Sequence, residues 1–149
     1  MDDVSLMYSD HRLMIVKVNT SITSFIVVVG HAEHSQQYEK ACSWWPRFKQ
    51  QLMPYKDQAM VVCIDANAQA PADGNDCFGG HGLVGSSRTT TLMVETLQDL
   101  ELWAPATWDS HISPGADLGT YCYEEDAPHV RIDYVLAGGG IASSSSGKV

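Results

Sequence analysis

Three short segments carry side chains able to act on a phosphate or to hold a cation. The first is Ile64-Asp65-Ala66-Asn67-Ala68, directly behind the apolar run Ala59 to Ile64, which reads as a buried strand. A carboxylate and an amide two residues apart at a strand's carboxyl end can project into one crevice. There Asp65 can bind a hard cation or orient a water, and Asn67 can donate a hydrogen bond to a phosphoryl oxygen. An Asp/Asn pair that starts a loop also caps its own backbone, and the residues alone leave both uses open.

The second segment, Gly30-His31-Ala32-Glu33-His34, stands behind another apolar run, Phe25 to Val29. His31 has the chemistry to contact a phosphate or to serve as an acid. Glu33 and His34 are equally suited to starting a following helix, with Ser35 as its cap. The third is Arg131-Ile132-Asp133-Tyr134-Val135-Leu136. In a strand, Ile132, Tyr134 and Leu136 face one way and Asp133 and Val135 the other. A core-facing Asp133 is costly unless a His or a cation pairs with it, whereas an edge strand would turn it to water.

The elements that must position these residues follow from hydrophobic period. Arg12 to Val18 reads as a strand able to pair as a hairpin with Phe25 to Val29, which is apolar on both faces and so expected to be central and buried. Tyr38, Cys42, Trp45, Phe48 and Leu52 recur at helical spacing within a helix expected over 35–55, with Pro46 kinking or restarting it. Ala66 to Arg88 is a Gly-, Pro- and Asn-rich loop, long enough to suggest function. Thr91 to Leu102 reads as a second helix with Leu92, Thr96, Leu97 and Leu100 inward. Ala106-Thr107-Trp108 and Thr120 to Tyr123 are short strand candidates, and Arg131 to Leu136 is the last strand. Alternating strands and helices suggest helices packed outside one or two sheets.

The bulk numbers limit what this chemistry can be. At 149 residues the chain suffices for one domain. Nine basic against eighteen acidic residues leave a net charge of −9, which disfavours an electrostatic clamp on nucleic acid. A phosphate can still be held through a bound cation, which reverses the local sign. No apolar stretch approaches the ~20 residues of a membrane span, and the start carries no basic and apolar signal-peptide pattern. The four cysteines (Cys42, Cys63, Cys77, Cys122) show no zinc spacing and read as free thiols of a reducing compartment, Cys63 in the core, so an intracellular place is favoured over secretion.

Taken in order, strand-His-Ala, strand-Asp-x-Asn and Arg-Ile-Asp-Tyr-Val-Leu, with Trp108 and Thr120-Tyr121 between the last two, resemble the endonuclease/exonuclease/phosphatase (DNase I-like) family. Val29-Gly30-His31-Ala32, the Trp44-Trp45 helix and the 131–136 run look closest to endonuclease domains of non-LTR retrotransposons, where Gly80-His81-Gly82 stands in place of a Gly-rich turn. The resemblance implies an α+β fold, a four-layer-type β-sandwich flanked by helices, present here incompletely. It implies that Asp65 orients or deprotonates the attacking water and ligates Mg²⁺ or Mn²⁺. Asn67 would stabilise charge on the scissile phosphate, His31 would contact it, and Asp133 would hydrogen-bond a catalytic His. The partner would be a nucleic acid or another phosphodiester reached through the metal, with no membrane and no dedicated protein partner.

The departures shape the expectation. The family's first strands, with an Asn and a metal-binding Glu, would precede Arg12, where eleven residues stand, and no Asp or His follows Asp133 to make a terminal Ser-Asp-His. Ser9-Asp10-His11 imitates that motif at the wrong end and reads as coincidence, and Ile64 replaces a usual Gly. The expected organisation is an extension over 1–11, a partial domain over 12–138 and a flexible Gly/Ser-rich tail over 139–149, truncated at both ends, impaired in activity and prone to self-association. The alternative is a non-catalytic remnant of a retroelement protein that serves, if at all, as a binding module.

Overall fold

Five segments form strands, β1 (Asp3–Ser9), β2 (Leu13–Asn19), β3 (Ser24–His31), β4 (Met60–Asp65) and β5 (Asp133–Gly138), the middle three rich in β-branched residues. The computed structural model describes residues 3–34, 36–79, 86–108, 119–122 and 129–141. The strands make one mixed sheet in the order of the chain, β1-β2-β3-β4-β5. Every neighbouring pair is antiparallel except β3 with β4. That parallel pair needs a crossover, and α1 (Tyr38–Leu52) provides it. α2 (Thr90–Asp99) follows β4.

One face of the sheet is the core side. Leu13, Ile15, Ile26, Val28, Met60, Val62 and Leu136 alternate inward and are buried against Trp44, Trp45, Phe48 and Leu52 of α1 and Met93 and Leu97 of α2. The indoles and Phe48 pack edge-on and stacked, with centroids 4.9 to 5.8 Å apart. The other parity of the same strands carries Val29, Cys63 and Val135, all exposed.

The α+β class holds, and among the described residues the expected sandwich is present as one sheet with one layer of helices. Several finer expectations are corrected. Residues read as an extension contribute β1, an edge strand paired with β2 through a bulge between Leu6 and Tyr8. β3 is central but buried on one face only, and Cys63 is exposed, because a strand apolar on both faces does not reveal which face is covered. The buried thiol is Cys77, pushed up to about 12 by burial and then by the charge of Asp76; none of the four cysteines forms a disulfide.

The helix passes through Pro46 without a break, as its surface turn tolerates the one missing backbone donor. It begins at Tyr38 rather than Ser35, which lies outside the described residues. In α2, Thr90 and Met93 are buried and Leu92 only partly so. Pro105–Thr107 is a 3-10 turn rather than a strand. Tyr121 bridges Val130 as a strand would. Gly80 to Gly82, Tyr123 and residues 142–149 lie outside the described residues.

Candidate functional site

The parallel pair brings the first two chemical segments to one end of the sheet. β3 ends at His31, β4 ends at Asp65, and antiparallel β5 begins at Asp133, so the three residues stand in register as His31↔Asp65↔Asp133. Their parity places all three on the face opposite the helices. His31 Nε2 lies 3.6 Å from Asp65 Oδ2, an ion pair when the imidazole is protonated. Asp133 is exposed on an edge strand, so the water-facing alternative is the one realised, and the core-facing one is not.

Asn67 joins the row from the loop. Its backbone N–H donates to Asp65 Oδ1 at 3.0 Å, the self-capping arrangement that an Asp/Asn pair favours. Its side-chain Nδ2 donates to the Ala32 carbonyl at 2.9 Å, which ties the loop after β4 to the loop after β3. Asn67 has φ +45°, a left-handed conformation that Asn accepts more readily than most residues. The amide is thus partly engaged in holding the loops, with one Nδ2 proton and Oδ1 left for other partners.

The surroundings fix these loops from below. Backbone bonds Ala32 N–H to Asp65 O and Ala66 N–H to Ile132 O, each 2.8 Å, extend the pairing past the strand ends. The Tyr134 hydroxyl, on the core side, donates to Arg131 O at 2.8 Å and accepts the Ala70 N–H at 3.0 Å. Burial pushes its pKa up to about 12. Thr90 Oγ1 donates to Gln69 O at 2.6 Å. Arg12 pairs with Glu33 at 3.0 Å beside the end of β3. His34 does begin the helix region, since its Nδ1 accepts the Gln36 N–H and its carbonyl accepts that of Gln37.

One neighbour was read from the sequence only as part of a short strand and not as a member of the site. Thr120 Oγ1 accepts the backbone N–H of both Ile132 and Asp133, at 3.1 and 3.2 Å, and so sets the start of β5 beside Asp65. A lone Thr gives no periodic signal, and its place depends on a contact twelve residues away. Asp10, by contrast, is structural. It accepts the N–H groups of Arg12 and Leu13 and the Tyr8 hydroxyl, and pairs with Arg47 at 3.4 Å, so it closes the β1–β2 turn. A separate cleft lined by Trp45, Met53 and Leu92 lies between the helices, on the opposite side of the sheet from the row.

The cation question can be put to these residues directly. Asp65 and Asp133 present carboxylates at neighbouring positions, which suits a hard cation that keeps most of its own waters. Among the described residues, no three His, Cys, Asp or Glu side chains gather as a metal cage. Nor is any helix among them long and apolar enough to cross a membrane.

No protein-family model matches the sequence, and no curated protein matches it. In shape the chain is similar to the endonuclease domain of TRAS1, a telomere-specific non-LTR retrotransposon, with a TM-score of 0.62 and 17% identity. That likeness covers 92% of this chain and 56% of the TRAS1 domain, so the chain spans little more than half of its length. An endonuclease/exonuclease/phosphatase family protein from Leptotrichia buccalis also aligns, at TM-score 0.47 and 10% identity, over 92% of this chain and 49% of that one. The α+β fold of this chain is therefore a DNase I-like one, similar in shape to part of the TRAS1 domain.

Proposed function

We propose that the chain carries part of the phosphate-facing site of a Mg²⁺- or Mn²⁺-dependent phosphodiester hydrolase of endonuclease type. The observation that carries this reading is the in-register row His31↔Asp65↔Asp133 at one sheet end, with Asn67 beside it. The name of the TRAS1 domain supports an endonuclease over other phosphoesterases.

In this reading Asp65 accepts the proton of a water that attacks phosphorus in line with the leaving oxygen. The free Asn67 amide proton and a ring N–H of His31 hydrogen-bond the phosphoryl oxygens as charge grows on them. Asp133 adds a second carboxylate to the row beside Asp65. Asp65 would hold the divalent ion, which when bound would supply charge neutralisation and a more acidic water. Among the described residues Asp65 and Asp133 are the only carboxylates the row offers to the ion, and in this reading activity falls below that of a fully caged site.

A second reading, a non-catalytic remnant, is favoured by one observation. Asp65 Oδ1 and Asn67 Nδ2 already bond within the fold. The two readings separate in Mg²⁺-dependent nicking of supercoiled plasmid by the purified chain beside Asp65→Ala and His31→Ala. Nicking that both substitutions abolish, with circular dichroism unchanged, supports catalysis. Nicking no greater than that of the variants sinks it and leaves the remnant.

A further inference from the structure

We propose that a basic strip on the amino-terminal half of α1, built on Lys40 and Arg47 and flanked by His11 and Arg88, is a phosphate subsite that holds the nucleic-acid backbone at nucleotides beyond the scissile bond. The choice of nucleic acid rests on the endonuclease reading, and the strip itself rests on charge and geometry. Arg12, Lys40, Arg47 and Arg88 gather here with Asp10, Glu33 and Glu39, four basic residues against three acidic. Out of totals of nine and eighteen, that leaves five basic against fifteen acidic residues for the rest of the chain. A protein of net charge −9 thus collects its cations in one region.

Two clefts border the strip and meet at Lys40. One, of about 430 Å³, is walled by His11, Glu33, Lys40, Ser43, Trp44 and Arg47. The other, of about 560 Å³, is walled by Gln36, Gln37, Tyr38, Lys40 and Arg88. Lys40 and Arg47 are seven residues apart in α1, so they share one helix face about 10 Å from each other. That span is close to three base steps of about 3.4 Å, so both can meet phosphates of one strand. Lys40 is exposed and makes no ion pair among the described residues. In the first turn of α1 it also stands at the positive end of the helix dipole, where helix stability disfavours a cation. Arg88 is steadied over the Tyr38 ring at 4.8 Å, and Arg47 meets Asp10 at 3.4 Å with further guanidinium donors to offer. The strip lies at the same sheet end as the row. Glu33 in the first cleft is two residues past His31, and Arg12 Nη1 donates to the His31 carbonyl at 3.4 Å.

Fluorescence anisotropy of a labelled DNA duplex, titrated with the purified chain over a range of salt and without divalent ion, tests this. Lys40→Gln with Arg47→Gln should weaken binding whatever the duplex sequence. It should also lower the slope of log K against log salt by about 2, close to one for each phosphate contact. Lys40→Gln alone, which breaks no ion pair, should lower it by about 1 with circular dichroism unchanged. Lys56→Gln, the same charge change at the far end of α1, should leave the slope as it is. Absence of binding at low salt overturns the proposal. So does a slope that Lys40→Gln does not move, or that Lys56→Gln lowers equally. A mononucleotide that competes as well as the duplex, phosphate for phosphate, likewise overturns an extended backbone as the occupant. Catalysis fails separately: binding through the strip without plasmid nicking sinks the hydrolase reading and keeps the subsite, whereas nicking with an unmoved slope does the reverse.

Discussion

The side-chain amide of Asn67 bonds the carbonyl of Ala32 at 2.9 Å, so the two loops that end the parallel strands are one hydrogen-bonded unit. Asn67→Ala loses that bond and must hold a φ of +45° with a less tolerant residue. Urea denaturation should show a loss of about 1–3 kcal/mol. Asn67→Gly keeps the conformation and should lose less. Equal stability of Asn67→Ala and wild type would show that the bond contributes nothing.

Tyr134 holds the same loop from the core side. Tyr134→Phe leaves the ring in place against Phe78, with centroids 5.4 Å apart, but strands the Ala70 N–H and removes the hydroxyl's bonds to the Arg131 and Ala68 carbonyls. A loss of about 1–3 kcal/mol is expected for the unpaired buried donor. Hydrogen exchange at Ala70 should accelerate more than at Val62. Uniform acceleration would mean the hydroxyl acts on global stability alone.

Asp10 gives the molecule an acid limb. Burial pushes its carboxyl up, but bonds from the Arg12 and Leu13 N–H groups and Tyr8, with the charge of Arg47, hold it below the usual 3.8. The native state therefore binds this proton less readily than the unfolded one. Its contribution is whole above pH 3.8 and is lost as pH falls through the lower native value. Asp10→Asn should flatten the fall in stability over that acid range, measured by urea midpoints. An unchanged slope would assign the acid sensitivity to other carboxylates.

The turn after β5 makes a paired prediction. A Cβ at Gly139, where φ is +59°, would stand 1.6 Å from the Gln58 carbonyl oxygen, whereas one at Gly140, φ +87°, meets nothing within 4 Å. Gly139→Ala should cost more than about 3 kcal/mol, and Gly140→Ala about 1 kcal/mol, the backbone penalty alone. Similar thermal midpoints for the two would contradict the close approach at Gln58.

Particular residues show what could be read before the fold was known. The runs at Val27 and Val62 announced strands, and Trp45, Phe48 and Leu52 announced a helix, because their spacing is set by local geometry. Asp65 and Asn67 were legible as a pair because they directly follow a strand. β1 was not, since Asp3, Ser5 and Ser9 dilute its alternation and its pairing with β2 supplies the order. The exposure of Cys63 was hidden for a different reason. Which face of an apolar strand is covered depends on what packs there, and neither spacing nor residue type carries that. Thr120 depended on tertiary placement in the same way.

The strand order, which follows the chain without a skip, bears on how the molecule acquires its structure. β1, β2 and β3 meet through short connections, Asp10 closing the first and Thr20 the second. This meander needs no residue beyond His31 and can form while the rest of the chain is still being synthesised. β4 and β5 must then each add to a finished edge, across closures of about thirty and seventy residues whose entropy falls late. The row His31↔Asp65↔Asp133 spans that divide, so it is completed by the slowest events. With the meander formed early, mutations in the first hairpin should slow refolding, whereas those at the late β4–β5 seam should mainly speed unfolding.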